Sequence, residues 1–381
     1  MMRPMKLAGS ELLFGEGCLE HIKSLDCKRA AIVMSGPVMR ENGILGKVEN
    51  YFKEAGAQTA VFEDVEPDPS FATVMKGTKF MKDFEPDLIV ALGGGSAMDA
   101  AKTMWVYYEH PEFTKLEDIF PPNPFPKLRK RARFVCIPST SGTASEVSRS
   151  VVISDDETGL KHGLGNMEMM PDIAICDPEV TKTMPKHITA ETGMDALTHA
   201  LEALVSNRAN YVSDILAKQA AIDIVHTLPK AYENGNDIKA REIMQNASMV
   251  AGMAFTNVSL GIVHSMAHTL GGYFKLPHGL ADAILLPYVM KFNSKDQKAA
   301  AVYQDLASKF LATDFIEVVK DLNKKLNIPA KLSEVIKDEK AFFDAIPEMA
   351  KVALADGCTK TNPIIPTDKQ LEELFKIAYN G

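Results

Sequence analysis

Along the first half of the chain apolar residues come in short continuous runs, at 29–34 (RAAIVM), 58–63 (QTAVFE), 87–92 (DLIVAL), 134–138 (FVCIP) and 173–177 (IAICD). Their β-branched content, and the Gly, Pro or Ser at their flanks, predict strands. Between them, 38–56 and 71–84 repeat apolar residues at steps of three and four, the pattern of an amphipathic helix. Strands alternating with helices predict a parallel sheet covered on both faces, with 58–63 as an edge strand. From about Thr189 the pattern changes, and 190–206, 212–226, 238–255, 259–270, 280–292, 298–311 and 315–326 all read as helices. The expectation is an α/β domain over 1–184, followed by an all-helical domain over 185–381. Its hinge falls in the stretch 178–187, which carries Pro178 and Pro185.

Composition narrows the function classes. The 381 residues suit two domains at about 100–200 residues each, and 46% hydrophobic with 24% charged residues is ordinary for a chain with a large core. Acidic residues outnumber basic ones 50 to 42, for a formal charge of −8, and there is a single tryptophan, Trp105. Both facts argue against nucleic acid as a partner. No apolar run approaches the ~18 residues of a membrane span, and the start lacks the apolar segment of a secretory signal. Five scattered cysteines without a CxxC pair fit free thiols in a reducing cytoplasm. The proline-rich, then basic, stretch 111–133 reads as an irregular surface loop.

Two loops carry candidate chemistry in the first domain. The strand 87–92 runs into Gly93-Gly94-Gly95-Ser96, where glycine permits positive φ and a close approach to an anion. Ser96 is placed to cap the following helix, whose free N–H groups and dipole favour phosphate, and Asp99 sits where a carboxylate complements that dipole. The spacing is not GxGxxG, so the dinucleotide fingerprint proper is absent; taken alone, the triplet also fits a tight turn. The second loop, Ser139-Thr140-Ser141-Gly142-Thr143-Ala144-Ser145-Glu146, offers five hydroxyls at the end of another strand. In an open α/β sheet, ligands collect at the carboxyl ends of the strands.

In the second half four of nine histidines and one aspartate show ligand-like spacing. Asp195 and His199 stand four apart in GMDALTHALEAL, His264 and His268 repeat the step in GIVHSMAHTLGG, and His278 follows Gly271-Gly272 in what reads as a turn. An i,i+4 pair projects from one helix face, and a carboxylate with imidazoles suits a divalent transition metal, Zn²⁺ or Fe²⁺. By spacing alone, His264 and His268 are both ligands, or one binds metal while the other faces substrate. His21, His110, His162, His187 and His226 read as ordinary core or surface residues.

Taken together, GGGSAMDAAK, IPSTSGTASE, GMDALTHALEA and GIVHSMAHTLGGYFKLPHG resemble the iron-containing, or group III, alcohol dehydrogenases. The resemblance runs from Phe14-Gly15-Glu16-Gly17 to about Asn293, and more weakly to the end. It is nearest to bacterial butanol and ethanol dehydrogenases and to the alcohol-dehydrogenase half of bifunctional aldehyde/alcohol dehydrogenases. It implies an N-terminal Rossmann-like dinucleotide-binding domain, a helical metal domain and an active site between them. Carried over by position, it implies Asp195, His199, His264 and His278 as metal ligands, and His268 as a non-ligand histidine that serves in proton transfer. Gly93, Gly94, Gly95 and Ser96 become the pyrophosphate site, with Asp99 nearby. Gly36, Asp68, Thr140, Ser141, Thr143, Ser145, Val147, Lys161, Thr183 and Met184 become the rest of the cofactor site. Ser150, Phe255 and Leu260 become an apolar substrate channel for a short aliphatic chain. A homodimer is implied as well.

One departure bears on the cofactor. NAD-preferring members often carry an aspartate after the first strand, whereas this chain has Met34-Ser35-Gly36-Pro37. Without a carboxylate to repel a 2′-phosphate, NADP(H) is favoured over NAD(H), with Arg40 the nearest cation and Asp68 a weak counter-argument. The implied reaction moves a hydride between a nicotinamide and a short primary alcohol or aldehyde such as butanol or butanal, with metal Lewis acidity at the oxygen. Three alternatives use related residues: a polyol or polyol-phosphate dehydrogenase, a dehydroquinate-synthase-like lyase, and a non-catalytic nucleotide or metal sensor. A phosphorylated substrate needs clustered cations, and between Phe255 and His278 there is only Lys275.

Overall fold

The computed structural model describes residues 4–120, 122–156 and 161–381, and divides into two compact units, Met1–Met184 and Pro185–Gly381. The first unit contains, in chain order, β1 (Glu11–Phe14), β2 (Arg29–Val33), α1 (Val38–Glu41), α2 (Ile44–Glu54), β3 (Gln58–Phe62), α3 (Phe71–Phe84), β4 (Leu88–Gly93), α4 (Gly95–Glu109), β5 (Arg133–Pro138), β6 (Ser150–Ser154), β7 (Lys161–Gly165) and β8 (Ile173–Cys176). Six strands form one sheet in the order β1-β8-β5-β4-β2-β3, every pairing parallel, and β6–β7 form a separate antiparallel pair.

Period-two alternation sorts the strand residues between two faces. Leu88, Val90 and Leu92 of β4 pack with Val48 and Phe52 of α2, whereas Ile89 and Ala91 join Val74 and Met81 of α3 and Met98 and Trp105 of α4. Every residue of β4 is buried, which is why this strand reads as an unbroken apolar run. The strand order reverses between β2 and β4. Open α/β sheets bind ligands in the crevice at such a reversal, and the chain leaves β4 there at Gly93.

The second unit contains α5 (Lys186–Val205), α6 (Tyr211–Glu233), α7 (Ile238–Val258), α8 (Ile262–Phe274), α9 (His278–Asn293), α10 (Gln297–Lys309), α11 (Phe315–Lys325), α12 (Glu339–Ala355) and α13 (Asp368–Asn380). Its centre is α5, buried on most of its circumference from Thr189 to Val205, and it packs against α6, α7 and α9 while α8 packs against α9 and α12. Among the described residues no single helix is long and apolar enough to cross a membrane. The bent pair α7–α8, turned by 101°, passes that test only jointly, and both helices are largely buried in the unit.

Several sequence expectations need correction. The stretch 38–56 is broken at Gly43, whose φ of 83° is left-handed and suits glycine, so two helices form. The α8 helix does not end at Gly271-Gly272 but runs to Phe274, and His278 opens α9 rather than lying in a turn. The strands β1, β6 and β7 and the helices α12 and α13 have no counterpart among the elements that the sequence pattern predicts.

Candidate functional site

At the end of β4 the glycines act differently from the sequence expectation. None of Gly93, Gly94 and Gly95 has positive φ; they are small because neighbours stand close. A Cβ on Gly93 would lie 2.7 Å from the Ala97 Cβ, one on Gly94 3.2 Å from the Thr140 Cγ2, and one on Gly95 2.8 Å from the Thr143 Cγ2. The absent side chains let the hydroxyl-rich loop after β5 pack onto the glycine loop, and Ser139 N–H donates to the Gly93 carbonyl at 2.9 Å. Ser96 is not the cap: Gly94 holds that position and no side chain caps the helix. The first-turn N–H groups of α4 are thus left for an anion. The hydroxyls of Thr140 and Ser141 are buried and have no hydrogen-bond partner, which fits a polar ligand better than a solvated turn.

Deeper in the same region the polar groups are paired. Asp99, beyond the first turn of α4, accepts from the Ser145 hydroxyl at 2.8 Å and from Val152 N–H at 2.9 Å. The fully buried Lys102 ammonium donates to the Ser145 carbonyl and hydroxyl at 2.7 and 2.8 Å and to the Ser148 carbonyl at 2.9 Å. Asp99, Ser145 and Lys102 therefore brace the loop, and Val147 is buried beside them. Burial pushes the neighbouring Glu146 carboxyl up to about 7, against the pull of Lys102. Sequence reading missed Lys102, whose signal was its place three residues after Asp99.

The remaining predicted cofactor residues are dispersed around this unit. Gly36 follows β2 with φ 66° and donates its N–H to the Glu63 carbonyl at 3.0 Å. Arg40 pairs with Glu63 at 2.9 Å, and Lys161 pairs with Asp68 at 2.7 Å. Thr183 accepts from the Asn42 amide at 2.9 Å, and Met184 N–H closes a turn onto Thr181. Ser150, expected in the substrate channel, opens β6 in this unit, and its carbonyl lies 3.4 Å from Lys102 Nζ.

In the second unit α5, α8 and α9 bring their polar residues to one buried point. The Asp195 Oδ1 lies 3.4 Å from His199 Nε2, 3.6 Å from His264 Nε2 and 3.9 Å from His278 Nε2. Asp282, four residues after His278 and fully buried, approaches His278 Nε2 at 3.3 Å and His264 Nε2 at 3.7 Å. The ligand atoms of Asp195, His264, His278 and Asp282 all lie within 4.8 Å of one another. His199 joins the group through Asp195 and stacks on His264 at 4.6 Å between ring centroids.

The approach of α9 to α5 needs Gly279, because a Cβ there would sit 2.3 Å from the Glu191 carbonyl oxygen. Glu202 sets the other side. It accepts from Gly261 N–H at 2.9 Å and Val263 N–H at 2.7 Å, capping α8 with a carboxylate, and takes His264 Nδ1 at 2.6 Å. That last bond turns His264 Nε2 toward the cluster, as a carboxylate behind a ligand histidine does.

Charge in the cluster is unresolved by protein alone. Asp195 Oδ1, His264 Nε2 and both Asp282 oxygens are buried without a hydrogen-bond partner. Burial pushes the Asp282 carboxyl well above its usual value and the His278 imidazole well below its own. Burial also opposes charge on Asp195 and His264, yet facing opposite charges win: the histidines hold Asp195 low, while Asp282 and Glu202 hold His264 well up. Adjacent donors with opposed protonation and orphaned atoms fit a divalent cation, which satisfies all of them at once.

His268 stands beside this point without joining it. Its ring stacks on His278 at 5.3 Å, and its Nδ1 donates to Asp356 at 2.8 Å. That bond orients the ring, and His268 holds the Asp356 carboxyl down to about 2 in spite of burial. Of the predicted substrate residues, Phe255 stacks on His199 at 4.3 Å, and the Leu260 carbonyl accepts from Thr361. Asp282, Glu202 and Asp356 are the polar groups missed from sequence. Asp282 had a signal, the same four-residue step as Asp195–His199; Glu202 and Asp356 had none, being distant in sequence from the histidines they touch.

Two family models match the chain: iron-containing alcohol dehydrogenase over residues 9–178, and the C-terminal part of the Fe-containing alcohol dehydrogenase family over 189–379. The chain is 45% identical to an NADPH-dependent butanol dehydrogenase of Clostridium saccharobutylicum over 378 residues, 97% of each protein. It is 36% identical to the bifunctional aldehyde-alcohol dehydrogenase of Escherichia coli over 93% of this chain, spanning 44% of that longer relative. Its structure superposes on an iron-containing alcohol dehydrogenase of Thermococcus thioreducens with a TM-score of 0.93 at 35% identity, covering 99% of this chain and all of the other.

Proposed function

The chain belongs to the iron-containing alcohol dehydrogenase family, and we propose that it interconverts short primary alcohols and aldehydes of the butanol class with NADP(H) as the preferred cofactor. The metal-dependent, nicotinamide-linked activity is that of the family; substrate, cofactor preference and residue roles are the proposal. The carrying observation is the cluster in which Asp195, His264, His278 and Asp282 bring ligand atoms within 4.8 Å of one another, with His199 joined through Asp195 and with Asp195 Oδ1 and His264 Nε2 buried without a hydrogen-bond partner. Asp195, His199, His264 and His278 would hold the ion, and Glu202 fixes His264 in the required tautomer. When bound, the divalent ion supplies Lewis acidity and the nicotinamide supplies or accepts the hydride.

The chain's own residues do the rest. The N-terminus of α4, with the Thr140 and Ser141 hydroxyls, binds the pyrophosphate. His268, held by Asp356, carries a proton at Nε2 to or from the substrate oxygen. Phe255 and Leu260 line an apolar channel that excludes water and fits an aliphatic chain. The absence of a carboxylate in Met34-Ser35-Gly36-Pro37, and the NADPH dependence of the Clostridium relative, support NADP(H). Arg40 adds little, since Glu63 balances it. Five cysteines outside any disulfide support a reducing, cytoplasmic setting, and the family resemblance supports a homodimer.

The test is anaerobic purification with metal analysis, then oxidation of NADPH and NADH with butanal and an aldehyde series. Faster turnover of NADPH with C3–C5 aldehydes is expected. Preference for NADH, or for glycerol-type polyols over butanol, would overturn the corresponding part.

A further inference from the structure

We infer that in this chain Asp282 is a fifth protein donor to the divalent ion, beside Asp195, His199, His264 and His278. The inference rests on reading this cluster as a metal centre. Two donors about 2.1 Å from one ion stand about 3.0–3.4 Å apart at right-angled or tetrahedral geometry. The Asp282 Oδ2 is 3.3 Å from His278 Nε2 and 3.7 Å from His264 Nε2, against 3.9 and 3.6 Å for Asp195 Oδ1 from the same nitrogens.

Orientation separates this role from a supporting one. A carboxylate that steadies a ligand histidine sits behind it, on the nitrogen away from the ion. Glu202 does this at His264 Nδ1. Asp282 instead faces Nε2 of both His264 and His278, the side on which the ion would lie. It is fully buried, its oxygens lack a hydrogen-bond partner, and its only ion-pair neighbours among the described residues are those two histidines. The α5 and α9 helices thus each present a carboxylate and a histidine four residues apart, with His264 of α8 completing the ring.

A second carboxylate changes the chemistry of the centre. Two negative charges balance a divalent ion, and a five-donor set with two oxygens suits Fe²⁺ or Mn²⁺, which accept five or six ligands, better than tetrahedral Zn²⁺.

Reconstitution of the full-length protein with Co²⁺ reads the coordination number directly, because four-coordinate cobalt absorbs visible light several-fold more strongly than five- or six-coordinate cobalt. The wild type is expected to show the weak spectrum, Asp282→Asn the intense one and Asp282→Glu the weak one. Chelator competition should show the Fe²⁺-to-Zn²⁺ affinity ratio falling by at least about tenfold in Asp282→Asn; an unchanged ratio removes the selectivity. An intense spectrum in the wild type, readable even if Asp282→Asn fails to fold, overturns the proposal, as do identical spectra in wild type and Asp282→Asn. Failure of the wild type to take up Co²⁺, Fe²⁺ or Zn²⁺ defeats instead the metal-centre reading beneath it.

Discussion

On the proposed function, the glycine loop of the first unit and the histidine cluster of the second would hold their ligands by opposite means. The loop after β4 works by what it lacks. Small residues let Thr140 and Thr143 close in, the helix start is left uncapped, and backbone N–H groups are left for an anion. The cluster works by what it contains, donor atoms on side chains from three helices, aimed by Glu202 from behind. A chain of net charge −8 can therefore hold a polyanion, because local backbone dipoles and not net charge face it. One region should be sensitive to added volume and the other to lost atoms.

Removing a donor is the most severe test. His264→Ala should lose bound metal and essentially all activity, beyond the 10- to 100-fold typical of outer positions, whereas His268→Ala should keep its metal and lose about 100-fold in kcat. Metal analysis and kinetics on both variants check this; metal loss confined to His268→Ala would reverse the assignment.

The contrast is incomplete at Gly279, where the cluster also depends on a missing side chain. Gly279→Ala forces α9 from the Glu191 carbonyl and should weaken metal affinity about tenfold, given overpacking costs of about 1–3 kcal/mol. Chelator competition reads it, and unchanged affinity would show that α9 can shift without disturbing His278. Gly93→Ala is the counterpart in the first unit. Its Cβ meets the Ala97 Cβ, which has no rotamer to escape into, so KM for NADPH should rise several-fold with metal content unchanged. A fall in metal content without a change in KM would break the division of labour.

At Glu146 the expected effect is on stability alone, with activity unchanged. Its ordinary pKa near 4.5 is raised to about 7 in the fold, so its contribution is fully present below 4.5 and lost as pH rises through 7. Glu146→Gln should remove a slope of up to about 1.4 kcal/mol per pH unit in that window. Urea denaturation of both proteins at pH 5 and pH 8 measures the difference, and equal slopes would mean Glu146 is solvated.

Much of this organisation was legible in the chain. The continuous runs at β2, β4, β5 and β8 are buried on both faces and announce themselves, while the four-residue β1 and the β6–β7 pair lie outside that doubly covered core and left no comparable run. Gly271-Gly272 signals a helix stop in sequence, yet α8 continues to Phe274 because tertiary packing outweighs a propensity cost of about 1 kcal/mol per glycine. Reading His278 as part of a turn then hid Asp282, since the i,i+4 step carries meaning only on a helix.

Local spacing determined the residue types and their helical faces: Asp195 with His199, His264 with His268, and the glycines ahead of α4. Those relations span a single helical turn and survive in any fold that keeps the helix. Tertiary structure alone decided that His199, His264 and His278 turn Nε2 toward Asp195. It brought Glu202 to His264 across 62 residues and Asp356 to His268 across 88. It also set Asp282 beside Asp195 by laying α9 on α5 at Gly279. Such contacts depend on how helices cross, and the crossing is fixed by the packing of whole faces, which no short stretch of sequence contains.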